Sequence, residues 1–317
     1  MKPLLLCWLL LCAAAGFAQS KEIVVAQDGS GTYRTVQAAL DAVPKNNRTL
    51  ITILIRKGTY KEKLNLGKKQ NFVKLVGEDQ NETVLVYDDY NGRKTESGEP
   101  LGTSEAASFR VFANDFSAEN LTFQNSAGLQ GQAPAMWVYG DKARFRNCRF
   151  LGFRDTLYVY GYGSRQYYSN CYIEGTTDFI LGAATAWFED CTLFCKPGGT
   201  CITAASTPDS ISYGYVFQRC KITGDAPANS YFLGRPWKPY AKTVLLNCEL
   251  ANLVQPKGWD HWGKESNKQE SFFAEYKSKG PGAAPKGRTT WSRQLSAAQA
   301  ALYTPEAALR GWNPEQE

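Results

Sequence analysis

The chain has one histidine, His261, in 317 residues. A Ser-His-Asp hydrolase would have to use that residue, and a zinc site with two or three histidines is excluded. No Lys/Arg run reaches five residues, so nucleic acid is not an expected partner. Past the N-terminal segment, nothing approaches the ~18 apolar residues of a membrane span, so no membrane partner is expected. Charge of one sign is also modest: a formal +6 is compatible with an anionic ligand but equally with many secreted proteins. A chain that is 43% hydrophobic and 21% charged is neither disordered nor collagen-like, and can form a sizeable core. With 28 glycines and 13% aromatics, alongside Val, Thr and Tyr, the composition leans towards strands and tight turns.

The first eighteen residues read as an export signal. Lys2 supplies a short positive start and Leu4 to Ala15 an apolar stretch of the right length. Gly16-Phe17-Ala18 then offers a small-x-small cleavage site, which starts the mature chain at Gln19. A lipoprotein reading through Cys7 or Cys12 is weaker, because Leu precedes each cysteine. Localisation is therefore expected to be periplasmic or secreted. Of nine cysteines, seven remain after Ala18. That number is odd, so they cannot all pair within the chain.

Five of these cysteines mark a repeat: Phe-Arg-Asn-Cys148-Arg-Phe, Tyr-Ser-Asn-Cys171-Tyr-Ile, Phe-Glu-Asp-Cys191-Thr-Leu, Phe-Gln-Arg-Cys220-Lys-Ile and Leu-Leu-Asn-Cys248-Glu-Leu. Ala-Glu-Asn-Leu121-Thr-Phe is the same pattern with leucine. The intervals from 121 to 248 are 27, 23, 20, 29 and 28 residues, too short for domains. Each unit alternates polar and apolar residues as a half-buried strand does. Short strand-rich units with this period, joined by turns, predict an all-β parallel β-helix with a buried ladder of small hydrophobes. Ladder cysteines need no partner, whereas Cys195 and Cys201 bracket a Lys-Pro-Gly-Gly-Thr turn that could carry a local disulfide.

Val36, Leu40 and Val43 lie at helical spacing ahead of Pro44, and a helix there would cap the N-terminal end of the solenoid. At the other end Ser296 can cap Ala297 to Tyr303, and Thr304-Pro305 starts a second short helix stopped by Gly311. The segments 91–105, 124–134 and 251–269 read as loops. No linker divides residues 19–317, so one domain is expected.

Two carboxylates stand out because the repeat places them. Asp155 lies seven residues after Cys148, and Asp178 seven after Cys171. Equal offsets put them on adjacent coils, about 4.8 Å apart by strand spacing. Such a pair splits its protonation, one group serving as acid and the other as nucleophile. The plainer reading is that both are turn aspartates near Gly152 and Gly175. Strict alternation would also place Asp155 with Leu157 and Val159, so a break in the strand is needed to expose it.

Phe153-Arg-Asp155-Thr-Leu-Tyr158, Gly175-Thr-Thr-Asp178-Phe-Ile-Leu-Gly182 and Leu233-Gly-Arg235-Pro-Trp237 together resemble the pectin methylesterases, right-handed parallel β-helix carbohydrate esterases. Ile23 to Val36 looks like the family's N-terminal signature and Trp291 to Pro314 like its C-terminal one, so the resemblance runs from about residue 22 to 314. It implies that Asp178 is the nucleophile on the C6 methyl ester of methylated homogalacturonan (pectin). Asp155 would then be general acid and afterwards general base, and Arg235 would hold Asp178. Gln132 sits where the family's first oxyanion-hole glutamine is found. Tyr158, Phe179 and Trp237 would line the sugar cleft. The scheme calls for no metal and no cofactor, and a monomer is expected.

Ordinary structural readings stand beside these. Arg235 could be a surface ion-pair partner, Gln132 a solvated loop amide, and Tyr158 and Phe179 packing residues. Tyr160, Tyr162, Tyr167 and Tyr168 read as strand cover, and His261 as a loop residue. Where the family usually has Gln before the acid, this chain has Arg154, which would weaken Asp155 as an acid or meet a substrate carboxylate. Leu181, Ala183 and Pro134 are further departures. A glycosidase or lyase on the same scaffold, or a pectin-binding protein without turnover, are the competing functions.

Overall fold

A computed structural model describes residues 22–315. The expected leader, with Cys7, Cys12 and the cleavage site before Gln19, lies outside them. The described strands form three parallel sheets of eleven, eight and seven strands. In the body of the solenoid each coil of chain gives one strand to each sheet, and the terminal coils contribute only to some. Ala143–Arg146 belongs to the first, Arg149–Leu151 to the second and Leu157–Val159 to the third, and Arg165–Ser169 then returns to the first, one layer on. The fold is a right-handed parallel β-helix: the repeat predicts the parallel β-helix, and the family resemblance implies its hand.

The repeated motif has a backbone cause. The residue before each ladder position turns the chain from the first sheet to the second with a left-handed backbone: φ is 55° at Asn120, 50° at Asn147, 52° at Asn170, 53° at Asp190 and Arg219, and 55° at Asn247. Asn tolerates that region because its short polar side chain bonds locally. Here the amides also bond from coil to coil, Asn147 Nδ2 donating to Asn120 Oδ1 at 3.3 Å. The next residue then points inward, so Leu121, Cys148, Cys171, Cys191, Cys220 and Cys248 are all buried. The thiols donate to main-chain carbonyls, as Cys148 does to Ala118 and Cys220 to Phe188, each at 3.4 Å.

Aromatic rings fill the same core. Phe145, Tyr168, Phe188 and Phe217 stack at centroid distances of 4.8, 4.7 and 4.6 Å, the spacing of the coils themselves. Burial of each such phenylalanine contributes roughly 1.5–3 kcal/mol.

All seven described cysteines are buried and free. Cys195 ends a strand of the eight-stranded sheet and Cys201 opens one of the seven-stranded sheet. The turn between them carries the chain from one sheet to the next, and the local disulfide its spacing allowed does not form.

The helix Val36–Asp41 begins at Thr35, whose hydroxyl accepts from Ala38 N, and buries Val36, Ala39 and Leu40 in the N-terminal end of the core. The C-terminal helices Ala297–Ala300 and Pro305–Ala308 start at Ser296 and Thr304 as expected. They sit against the outer face of the eleven-stranded sheet, with Ala300, Ala308, Leu309 and Trp312 packed on Tyr167, Trp187, Val216 and Val244. Segment 251–269 runs into a short helix, Asn267–Glu270.

Candidate active site

The two aspartates occupy equivalent places on adjacent coils. Leu157 pairs with Ile180 and Arg149 with Tyr172, so residues two before each first pair and six after each second pair coincide; these are Asp155 and Asp178. Both lie in Gly-x-x-Asp turns opened by Gly152 and Gly175. A Cβ on Gly175 would lie 2.5 Å from the carbonyl oxygen of Phe153, so only glycine lets the two turns approach this closely. Both aspartates have left-handed backbones, φ 64° and 54°. This is the break that alternation required: it turns the carboxylates out while Leu157 and Ile180 still face the core.

Asp178 receives a two-pronged grip. Arg235 Nε donates to Oδ1 at 2.9 Å and an Nη donates to Oδ2 at 2.6 Å, the fork geometry that suits a carboxylate. The guanidinium in turn lies 3.7 Å above the ring of Trp262. Asp155 stands differently. It is 1% exposed, and burial together with the neighbouring Asp178 pushes its carboxyl up to about 7. Arg154, with Nε 3.6 Å from Oδ1, pulls the other way, as does a hydrogen bond from Gln132. Arg154 therefore tempers the shift but does not cancel it.

Gln132 reaches Asp155 from the previous coil, where it bridges to Arg154. Its Nε2 donates to Asp155 Oδ2 at 2.8 Å. Its Oε1 accepts from the hydroxyl of Thr103 at 3.0 Å, and that hydroxyl accepts from Asn91 Nδ2 at 3.0 Å. The Thr103 oxygen accepts from Asn91, which leaves its proton free to go to Gln132. The chain of bonds fixes which end of the Gln132 amide faces Asp155. One Nε2 hydrogen is left over.

These groups open on a cavity of about 150 Å³ lined by Thr103, Gln132, Arg154, Asp155, Tyr158, Asp178, Leu181, Ala204, Trp237 and Trp262. Tyr158, Leu181 and Ala204 are register partners and form its floor. Trp237 approaches Tyr158 edge-on at 6.0 Å. Arg235 stands behind Asp178, between it and Trp262. Phe179 is not in the lining. The left-handed turn at Asp178 sends the following residue inward, so Phe179 is fully buried in the coil core and packs over Gly175. Its packing reading holds.

The profile of the pectinesterase family matches residues 22–312. The chain belongs to the pectinesterase family. It is 39% identical over 307 residues to Pectinesterase 31 of Arabidopsis thaliana, covering 95% of each chain. Probable pectinesterase/pectinesterase inhibitor 21 of the same plant is 37% identical, and there the match covers 96% of this chain but 47% of the relative. Pectin methylesterase from carrot superposes with a TM-score of 0.83 at 31% identity, covering 91% of this chain and 93% of that one. A pectin methylesterase in complex with a hexasaccharide gives a TM-score of 0.82 at 32% identity, covering 92% and 98%. Members of this family are carboxylic ester hydrolases, and so is this protein.

Sequence reasoning missed Thr103, Asn91 and Trp262. The first two come from a loop outside the repeat, whose spacing says nothing about where it folds back. Trp262 lies in Gly-Trp-Asp-His261-Trp-Gly, a loop whose sequence has no register with the coils and so does not place its ring against Arg235. His261 faces Asp260 and Glu265, not the cavity.

Proposed function

We propose that this protein hydrolyses the C6 methyl esters of polygalacturonate to free carboxylate and methanol through an acyl-enzyme on Asp178. The carrying observation is the division between the two carboxylates: one held by the Arg235 fork, the other buried and lifted to about 7. Asp178 attacks the ester carbonyl. The charge that develops on the carbonyl oxygen is met by the spare Nε2 hydrogen of Gln132 and by the Arg154 guanidinium. Asp155 gives its proton to the departing methoxy oxygen, methanol leaves, and Asp178 is joined to C6 as an anhydride. Asp155, now a base, takes a proton from water as the water attacks. Collapse of that adduct frees the uronic acid, which gives its proton to solvent, restores the Asp178 carboxylate and leaves Asp155 protonated. A donor in the position of Gln132 contributes about 2.7–4 kcal/mol to the transition state. Tyr158, Trp237 and Trp262 offer faces for sugar rings. The test is methanol release from highly methylated pectin; new reducing ends or an unsaturated product would overturn the reading in favour of a glycosidase or lyase.

Export supports access to a polymer too large to enter a cell, and the apolar stretch from Leu4 to Ala15 is its basis. We read residues 19–317 as one domain, because the eleven-stranded sheet runs unbroken from Glu22 to Gln294. The protein works as a monomer on pectin in this account.

Arg154 gives a signed pH prediction. The acid must be protonated for the first step, so kcat/KM is present below the Asp155 pKa of about 7 and lost above it. Arg154→Gln removes a cation that lowers that pKa, so the alkaline limb should move to higher pH by on the order of half a pH unit. Activity assays across pH check this, and an unmoved limb contradicts it. A variant that is dead at every pH would mean that Arg154 acts chiefly through its contact with the carbonyl oxygen and not through Asp155.

Thr103→Val tests the amide chain. It leaves Gln132 Oε1 without its donor and frees the amide to turn. We expect kcat to fall roughly ten- to a hundredfold with KM little changed, as for a misplaced catalytic group. Unchanged kcat would remove Thr103 from the mechanism.

A further inference from the structure

Arg110 is a cation on the face that carries the cavity, and among the described residues no carboxylate pairs with it. It sits in the strand Phe109–Val111, whose other two residues point into the core, so its side chain points outward. Register pairs place it in a row across the seven-stranded sheet: Arg110, Trp137, Tyr158, Leu181, Ala204 and Arg235. Tyr158, Leu181 and Ala204 are the cavity floor. Two strand spacings separate Arg110 from Tyr158, about 10 Å at 4.8 Å per strand. A polyuronate chain lying across the sheet spans that distance.

The guanidinium is partly buried, 6.0 Å from the centroid of Phe112. Its Nε is buried without a hydrogen-bond partner, and so is Nε1 of its register neighbour Trp137. Among the described residues no carboxylate pairs with Arg110. Other arginines of this protein are partnered: Arg235 with Asp178, Arg288 with Glu275, Arg219 with Asp190. A guanidinium that has lost part of its hydration and holds no anion is matched to a carboxylate from outside. Next to it, Trp137 stacks on Tyr160 at 5.8 Å, and Tyr139 and Tyr162 stand exposed, making a platform for sugar rings.

We propose that Arg110 is a specificity-determining residue that binds the free carboxylate of an already de-esterified uronate unit in the polymer whose ester is being cleaved. The proposal rests on the esterase reading above. A methylated unit offers Arg110 no anion, whereas a unit the enzyme has already processed does. Turnover on one part of a chain therefore strengthens binding of that chain for the next.

The test compares oligogalacturonates of one length, fully methylated or partly de-esterified, as substrates of the protein and of Arg110→Gln. The parent protein should have the higher kcat/KM on the partly de-esterified substrate. The variant should lose about tenfold there, through KM with kcat unchanged, the effect of one charge-assisted hydrogen bond. Its rate on the fully methylated substrate should stay as it was, which also reports that it has folded. Arg110→Lys should recover part of the loss. An equal loss on both substrates, or no loss on either, would overturn the proposal. Absence of methanol from both substrates with the parent protein would overturn the esterase reading and this proposal with it.

Discussion

Asp178→Asn is expected to lower methanol release by at least about 10⁴-fold, the scale of removing a nucleophile that works as a unit with its neighbours. The amide has the shape of the carboxylate but cannot form the acyl bond. Its oxygen can still accept from Arg235, so the strand Phe232–Pro236 keeps its side-chain tie to the turn at Asp178. Arg235 loses its counter-charge, yet its contact with Trp262 at 3.7 Å and its partial exposure to water remain. The β-helix core does not involve either side chain. Circular dichroism should therefore give the parent's spectrum. A residual rate within tenfold of the parent would remove Asp178 as the nucleophile.

Asp155→Asn should have two effects of opposite sign. Loss of a positioned acid and base costs about 10²–10⁴-fold in rate. Stability should rise, and only at the higher pH values. The Asp155 carboxyl titrates at about 7 when folded, against 3.8 for the unperturbed group. The folded state thus holds its proton more tightly than the unfolded state. The stability this contributes is complete below about 4 and is lost as the pH rises to about 7. At pH 8 the parent carries a buried, ionised carboxylate beside Asp178, and the asparagine variant does not. Melting curves at pH 4 and pH 8 should nearly coincide in the first case and favour the variant by on the order of a few kcal/mol in the second. Curves separated equally at both values would contradict the assigned proton.

The reasons why parts of this site were legible in the sequence are local. The left-handed turn before each inward ladder residue favours Asn and leaves room for a small apolar side chain, so Asn-Cys recurs and marks the coils. Once Cys148 and Cys171 are known to stack, offset arithmetic places Asp155 beside Asp178. The same arithmetic fails wherever the backbone leaves the strand. It could not show that the turn exposing Asp178 would bury Phe179, nor that the 91–105 loop would deliver Thr103 to Gln132. The turn that Cys195 and Cys201 flank could carry a disulfide on spacing alone, but it separates two sheets. The C-terminal helices were legible from Ser296 and Thr304, while their docking site was not, because it depends on the outward residues Trp187 and Val216 of distant coils.

Covalent catalysis at Asp178 is tested most directly with an aryl ester of a galacturonide and the Asp155→Asn variant. A phenolate needs no acid to leave, so acylation should proceed; deacylation should stall, because no base remains to activate water. The account predicts a rapid release of one equivalent of phenol per enzyme followed by near silence, and no such burst when Asp178→Asn is added. Steady phenol release without a burst, or a burst that survives the loss of Asp178, would contradict it.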